Sequence, residues 1–205
     1  MSIVIKVKKK KKPYQVVDAY TKKAHEEGFV ARSVFKLQEI DKKIKLYEKG
    51  HKILDLGSSP GSWLQFASQK VGSSGLVVGL DIVAIRTNAQ NVHFFIQDIT
   101  DHEGVRNQVQ EWAPFDILQS DAMVKTSGIK ESDCARSIQL VESAILLAQK
   151  GLLKSGGKFL AKIFEGPGFN EFWNEFRKTF KGSKVFRPEA IREGSREIYV
   201  MGIMP

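Results

Sequence analysis

Lys162 stands inside the apolar run Phe159-Leu160-Ala161-Lys162-Ile163-Phe164. An ammonium is costly there unless a carboxylate pairs with it or the amine gives up its proton. A lysine so placed beside an acid is a candidate for moving or steering a proton. Acids of the right kind close several other apolar runs: Asp55, Asp81, Asp98 and Asp121, with Glu197 near the start of the last run. Between Ile53-Leu54 and a helix-like segment lies Asp55-Leu56-Gly57-Ser58-Ser59-Pro60-Gly61-Ser62-Trp63. A strand that ends in a Gly-rich turn and enters a helix is the opening of a nucleotide-cofactor site. The spacing is Gly-x-x-x-Gly, not the dinucleotide fingerprint, and Pro60 removes a backbone N–H that a pyrophosphate cradle would use. The turn therefore suits S-adenosylmethionine (SAM) better than NAD.

Asp81 lies 20 positions beyond Gly61, where an acid accepts the ribose hydroxyls of an adenosine cofactor. Asp98 ends the next run and is placed either to accept from an adenine amino group or, within Asp98-Ile99-Thr100-Asp101, to cap a helix. Trp63 packs against the cofactor or serves the core. In a parallel sheet the carboxyl ends of the strands share one edge, so Asp55, Asp81, Asp98 and Asp121 are expected around one crevice.

These residues need a sheet to hold them. Apolar runs at Lys52–Leu56, Leu76–Asp81, Val92–Gln97, Phe115–Ser120, Lys158–Phe164, Lys184–Phe186 and Glu197–Ile203 read as strands. Helical patterns lie near 62–71, 101–112, 134–150 and 169–180. The alternation predicts an α/β, Rossmann-like fold with a mostly parallel seven-stranded sheet. The connection 187–196 is too short for a helical crossover, so the last strand is expected to run antiparallel. The stripe Phe169, Phe172, Trp173, Phe176 and Phe180 has the spacing of the buried face of one helix.

Upstream, residues 1–13 read as a flexible basic arm and residues 14–50 as a basic helical extension, with helices at 14–27 and 33–48. Residues 14–205 are read as a single domain with its core at 51–205. Residues 1–52 hold 15 Lys/Arg against 6 Asp/Glu, whereas residues 53–205 hold 17 of each, so the whole net charge of +9 sits in the first quarter of the chain. That asymmetry points to a polyanion such as RNA. Cys134 is the only cysteine, and His25, His51, His93 and His102 lack ligand spacing, so no metal site is expected. No apolar run reaches membrane-spanning length and the N-terminus lacks the apolar segment of a signal peptide, which implies a cytoplasmic protein without a membrane partner. No oligomer is implied.

Seven segments in order carry a family resemblance: Ala31-Arg32-Ser33-Val34-Phe35-Lys36-Leu37, Asp55 to Trp63, Gly79-Leu80-Asp81, Gln97-Asp98-Ile99, Ser120-Asp121, Ala161-Lys162-Ile163-Phe164-Glu165-Gly166 and Ser195-Arg196-Glu197-Ile198-Tyr199. Together they resemble the FtsJ/RlmE family of SAM-dependent ribosomal RNA 2′-O-ribose methyltransferases, from about Tyr20 to Gly202. The resemblance implies a catalytic Lys-Asp-Lys-Glu set at Lys36, Asp121, Lys162 and Glu197. It also implies a SAM site at Asp55, Gly57, Ser59, Pro60, Gly61, Trp63, Asp81, Ile82, Asp98, Ile99 and Asp121. The implied reaction moves a methyl group to a ribose 2′-hydroxyl, with Lys162 taking the proton as an amine or steering the hydroxyl as an ammonium. The implied substrate is a uridine of large-subunit rRNA; tRNA and a non-catalytic RNA-binding role are the alternatives. One departure stands out. The family's Asp-Met-Ala-Pro-Asn is here Asp121-Ala122-Met123-Val124-Lys125, which bears on contacts to the target nucleoside.

Overall fold

The strands are β1 (Lys52–Leu56), β2 (Leu76–Asp81), β3 (Val92–Ile96), β4 (Phe115–Ser120), β5 (Leu153–Phe164), β6 (Lys181–Phe186) and β7 (Glu197–Ile203). The helices are α1 (Ala19–Glu26), α2 (Val34–Ile44), α3 (Ser62–Val71), α4 (His102–Val109), α5 (Lys130–Leu147) and α6 (Phe169–Thr179). The computed structural model describes residues 19–192 and 194–205. The 1–13 arm and the start of the helix predicted at 14–27 lie outside the described residues.

The strands form one sheet in the order β3-β2-β1-β4-β5-β7-β6. Pairings along β3-β2-β1-β4-β5 are parallel, and β7 runs antiparallel to both β5 and β6. Only the last strand is reversed, as its short connection requires.

Strand alternation sorts the core into two layers. Leu54, Leu56, Val78, Leu80, Leu118, Phe159 and Ala161 face one side with α4, α5 and α6. Ile53, Val77, Ile117, Leu160 and Tyr199 face the other, where α1, α2 and α3 pack. Both faces are covered, which is why the strands read as nearly continuous apolar runs. In α6, Phe172 and Phe176 are buried, Phe180 just beyond the helix is buried as well, and Phe169 and Trp173 pack against the same cluster.

Several bounds differ from the sequence reading. The helix predicted at 33–48 stops at Ile44 because Lys45 adopts the left-handed conformation, with its N–H donating to Asp41 O. The Asp41 carboxylate then accepts from the N–H groups of Leu46 (2.9 Å) and Tyr47 (3.3 Å) and pairs with Lys70 of α3 at 2.8 Å. One aspartate thus ends α2 and fastens it to α3. Strand β5 begins at Leu153, where Gly156 and Gly157 exchange backbone hydrogen bonds with Met204. Helix α5 begins at Lys130, and α4 is short, with Asp101 as its N-cap accepting from Gly104 N–H. Replacing Asp41 by Ala strands two buried N–H groups and should lower unfolding stability by roughly 2–4 kcal/mol in urea denaturation; an unchanged midpoint would refute the hub.

Candidate active site

The parallel order reverses between β1 and β4, and a ligand crevice forms outside the carboxyl ends of strands at such a point. A cavity of about 950 Å³ opens there. Its floor requires a close approach of two loops. Gly57 has φ +75°, and a Cβ added to it would lie 2.4 Å from Ala122 Cα. Any side chain at 57 would push the loop after β1 away from the loop after β4. The N–H groups of Gly57 and Ser58 donate to Leu80 O, and Ser59 N–H donates to Asp81 Oδ2 at 2.9 Å. Asp81 Oδ1 accepts from Val83 N–H at 2.8 Å, so one acid ties the Gly-rich turn to the end of β2. The Ser59–Pro60 peptide is cis.

Of the predicted cofactor residues, Gly57, Ser59, Pro60, Asp81, Ile82, Asp98, Ile99 and Asp121 line this cavity. Asp98 does not cap α4; its Oδ1 accepts from the N–H and hydroxyl of Thr100 and leaves the cap to Asp101. Ile82 and Val83 are 69% and 55% exposed at the cavity wall, apolar area that a bound flat ring would cover.

Asp55, Gly61 and Trp63 are not brought to the wall. Asp55 was expected in the ring of acids, yet it is fully buried beneath the loop. It lies in register with Gly79 and Gln119 on the face covered by α3. Its Oδ1 accepts from Gln119 Nε2 at 3.0 Å, the Tyr47 hydroxyl donates to Gln119 Oε1, and its Oδ2 has no hydrogen-bond partner. Burial pushes the Asp55 carboxyl up to about 7, against the opposing hydrogen bond from Gln119. Trp63 stacks on Tyr199 at 5.7 Å and donates to Ser33 O at 3.0 Å, so it serves the core.

Lys36, Asp121, Lys162 and Glu197 all line the cavity. Lys162 Nζ donates to the backbone carbonyl of Asp121 at 2.7 Å and lies 3.2 Å from Asp121 Oδ1. Lys36 Nζ lies 2.7 Å from Glu197 Oε2. Both lysines are buried, at 9% and 7% exposure, and each therefore has the partner that burial demands. Helix α2 delivers Lys36, while the antiparallel register sets Lys162 opposite Tyr199 and Phe164 opposite Glu197. The Tyr199 hydroxyl donates to Asp121 Oδ1 at 2.8 Å, and burial beside Asp121 raises its pKa, keeping it a donor. Sequence reasoning gave Tyr199 no role, although its position two residues after Glu197 puts both on one strand face.

The atypical loop after Asp121 has its own anchor. Buried Asp133 on α5 accepts from Ser127 N–H, Ser127 Oγ and Gly128 N–H and pairs with Arg136. Among the described residues no cluster of His, Cys, Asp and Glu suits a metal ion, and no helix is long and apolar enough to cross a membrane.

This strand order, with a Gly-rich turn after β1 and acids closing β2 and β3 around one cavity, defines a Rossmann-like SAM-dependent methyltransferase. The FtsJ-like methyltransferase family model matches residues 29–204, and the chain belongs to that family. It is 44% identical to Ribosomal RNA large subunit methyltransferase E of Syntrophobacter fumaroxidans, covering 93% of this chain and 96% of the relative. With the protein of the same name from Desulfatibacillum aliphaticivorans, identity is 45% over 90% and 89% of the two chains. Among solved structures, a protein described as a ribosomal RNA methyltransferase of Plasmodium falciparum is similar, with a TM-score of 0.74 and 26% identity over 85% of this chain and 97% of that one. Fibrillarin of Aeropyrum pernix, crystallised with natively bound SAM, shares the fold at a TM-score of 0.55 and 14% identity, over 83% and 76% of the chains.

The raised Asp55 pKa has a thermodynamic consequence. The folded state favours the protonated acid, so its stabilisation is full below the ordinary pKa near ~3.9 and is lost as pH rises through about 7. Asp55→Asn, which mimics the neutral acid, should gain Tm relative to the native chain between pH 5 and pH 8. A difference that stays flat across that range in thermal melts would contradict the assignment.

Proposed function

We propose that the enzyme methylates a ribose 2′-hydroxyl of large-subunit ribosomal RNA in the cytoplasm. The observation that carries this is the pair of lysine–carboxylate contacts, Lys162–Asp121 and Lys36–Glu197, side by side in the cavity that continues to Asp81 and Asp98. A free alcohol is a weak nucleophile, and a buried lysine–carboxylate pair is a group that can hold it and take up its proton. The names of the relatives support rRNA as the substrate.

The residues present fit SAM. Asp81 already takes two backbone N–H groups and retains lone pairs for the ribose hydroxyls. Ile82 and Ile99 would flank the adenine and Asp98 would accept from its amino group. Gly57, Ser59 and Pro60 would form the wall beside the amino-acid portion, with Asp55, Gly61 and Trp63 supporting that wall from behind. When bound, SAM supplies a sulfonium-activated methyl group.

Lys162 Nζ, fixed by two contacts to Asp121, orients the 2′-hydroxyl. The hydroxyl proton would pass to the Lys162–Asp121 pair while the O–CH3 bond forms and the S–CH3 bond breaks, its electron pair staying on sulfur. Tyr199 holds Asp121 in place, while Lys36 and Glu197 hold each other and frame the target ribose. Positioning carries much of the rate, because the methyl donor is already reactive.

Mass spectrometry of nuclease-digested RNA after incubation with SAM tests the reading. Unmethylated large ribosomal subunits, their naked rRNA and total tRNA are compared. A new 2′-O-methyl nucleoside confined to the ribosomal samples is the expected result. Methylation of tRNA alone would move the substrate, and no product from any RNA would reject the activity.

A further inference from the structure

Residues 187–192 and 194–196 lie between β6 and β7, and Arg192, Gly194, Ser195 and Arg196 line the cavity from this strap. It is pinned from α2. Glu39 accepts from two successive backbone N–H groups of this strap: Glu189 N–H at 2.7 Å through Oε2 and Ala190 N–H at 2.9 Å through Oε1. Arg32 donates to Ala190 O at 2.6 Å, and Ala190 is fully buried. Arg187 closes the strap by donating to Ser195 O at 3.3 Å and pairing with Glu165.

Glu39 lies three residues after Lys36 on α2, so the helix that sets one lysine in the cavity also sets the strap above it. The strap ends in a guanidinium already fixed in place. Arg196 lies over the Phe164 ring at 5.6 Å, donates to Cys134 Sγ at 3.2 Å and stands 4.0 Å from Asp133. Arg192 is exposed at the cavity rim. A nucleotide whose 2′-hydroxyl reaches Lys162 carries a phosphate on either side, and a guanidinium matches a phosphate with two parallel hydrogen bonds.

We propose that Glu39 is a positioning residue that presets the 187–196 strap, and that Arg192, with Arg196 beside it, contacts the phosphates flanking the target ribose. The proposal rests on the reading of the chain as an RNA ribose methyltransferase. Presetting the strap removes the ordering cost that a loose loop would charge on each binding event.

Three full-length variants, Arg192→Ala, Arg192→Lys and Glu39→Gln, are compared with the native chain on unmethylated large ribosomal subunits. Arg192→Ala should raise the RNA KM by roughly 5- to 10-fold with kcat within about twofold, as expected for a contact made equally in ground and transition states. It should also lower the slope of log affinity against log salt by about one, while Arg192→Lys keeps the slope. Glu39→Gln, which leaves one strap N–H without its acceptor, should raise the same KM several-fold without moving the SAM Kd. An unchanged salt slope and KM for Arg192→Ala would overturn the phosphate contact, and a Glu39→Gln loss confined to kcat would overturn the presetting role. If the native chain methylated no RNA, the parent reading would fall and this proposal with it; methylation with no response from the variants would sink the strap alone.

Discussion

Asp121 is held from two neighbouring strands at once, and the arrangement of the site depends on that double grip. It lies at the end of β4, where its carbonyl and one carboxylate oxygen meet Lys162 of β5 and the same oxygen meets the Tyr199 hydroxyl of β7. The antiparallel register sets Lys162 directly opposite Tyr199, so both side chains rise on one face. Had β7 joined the sheet one residue out of step, Tyr199 and Glu197 would both turn to the opposite layer. Lys36 would then lose its carboxylate, leaving a buried charge without a partner. Inserting β7 between β5 and β6 is thus a requirement of the site as well as of the sheet.

The second constraint acts between the loops after β1 and β4. Gly57 and Ala122 approach so closely that position 57 has no room for a Cβ. This contact sets the Gly-rich turn next to Asp121, so Asp81, Asp98, Asp121 and Lys162 open into one cavity. Beneath it, Asp55, Gln119 and Tyr47 form a buried polar chain joining the floor of the turn to the segment after α2. The N-terminal helices therefore do more than carry positive charge. They cover a sheet face, deliver Lys36, and through Glu39 hold the β6–β7 strap.

Much of this is legible in the sequence because it follows from local pattern. The bounds of β1, β2, β4 and β7 coincide with apolar runs closed by polar or turn residues, and the short 187–196 connection already requires a reversed last strand. Lys162 is conspicuous because a cation inside an apolar strand needs a partner. What escapes is whatever depends on register or distant packing. Asp55 reads like the other strand-end acids, and only its alignment with Gln119 under the cover of Tyr47 shows that it is buried. The grip of Glu39 joins residues far apart in the chain, and nothing in α2 announces its partner. Tyr199 is intermediate, since strand alternation puts it beside Glu197 but cannot reveal its bond to Asp121.

The proposed chemistry requires Lys162 to act on the hydroxyl without holding the cofactor. Single-turnover methyl transfer by Lys162→Met at saturating SAM and RNA, with the SAM Kd taken by calorimetry on the same preparation, isolates that role. The expected result is a loss of methyl transfer on the order of 10²–10⁴-fold with the SAM Kd unchanged within about twofold. Near-native transfer, or a loss explained by failed SAM binding, would contradict it.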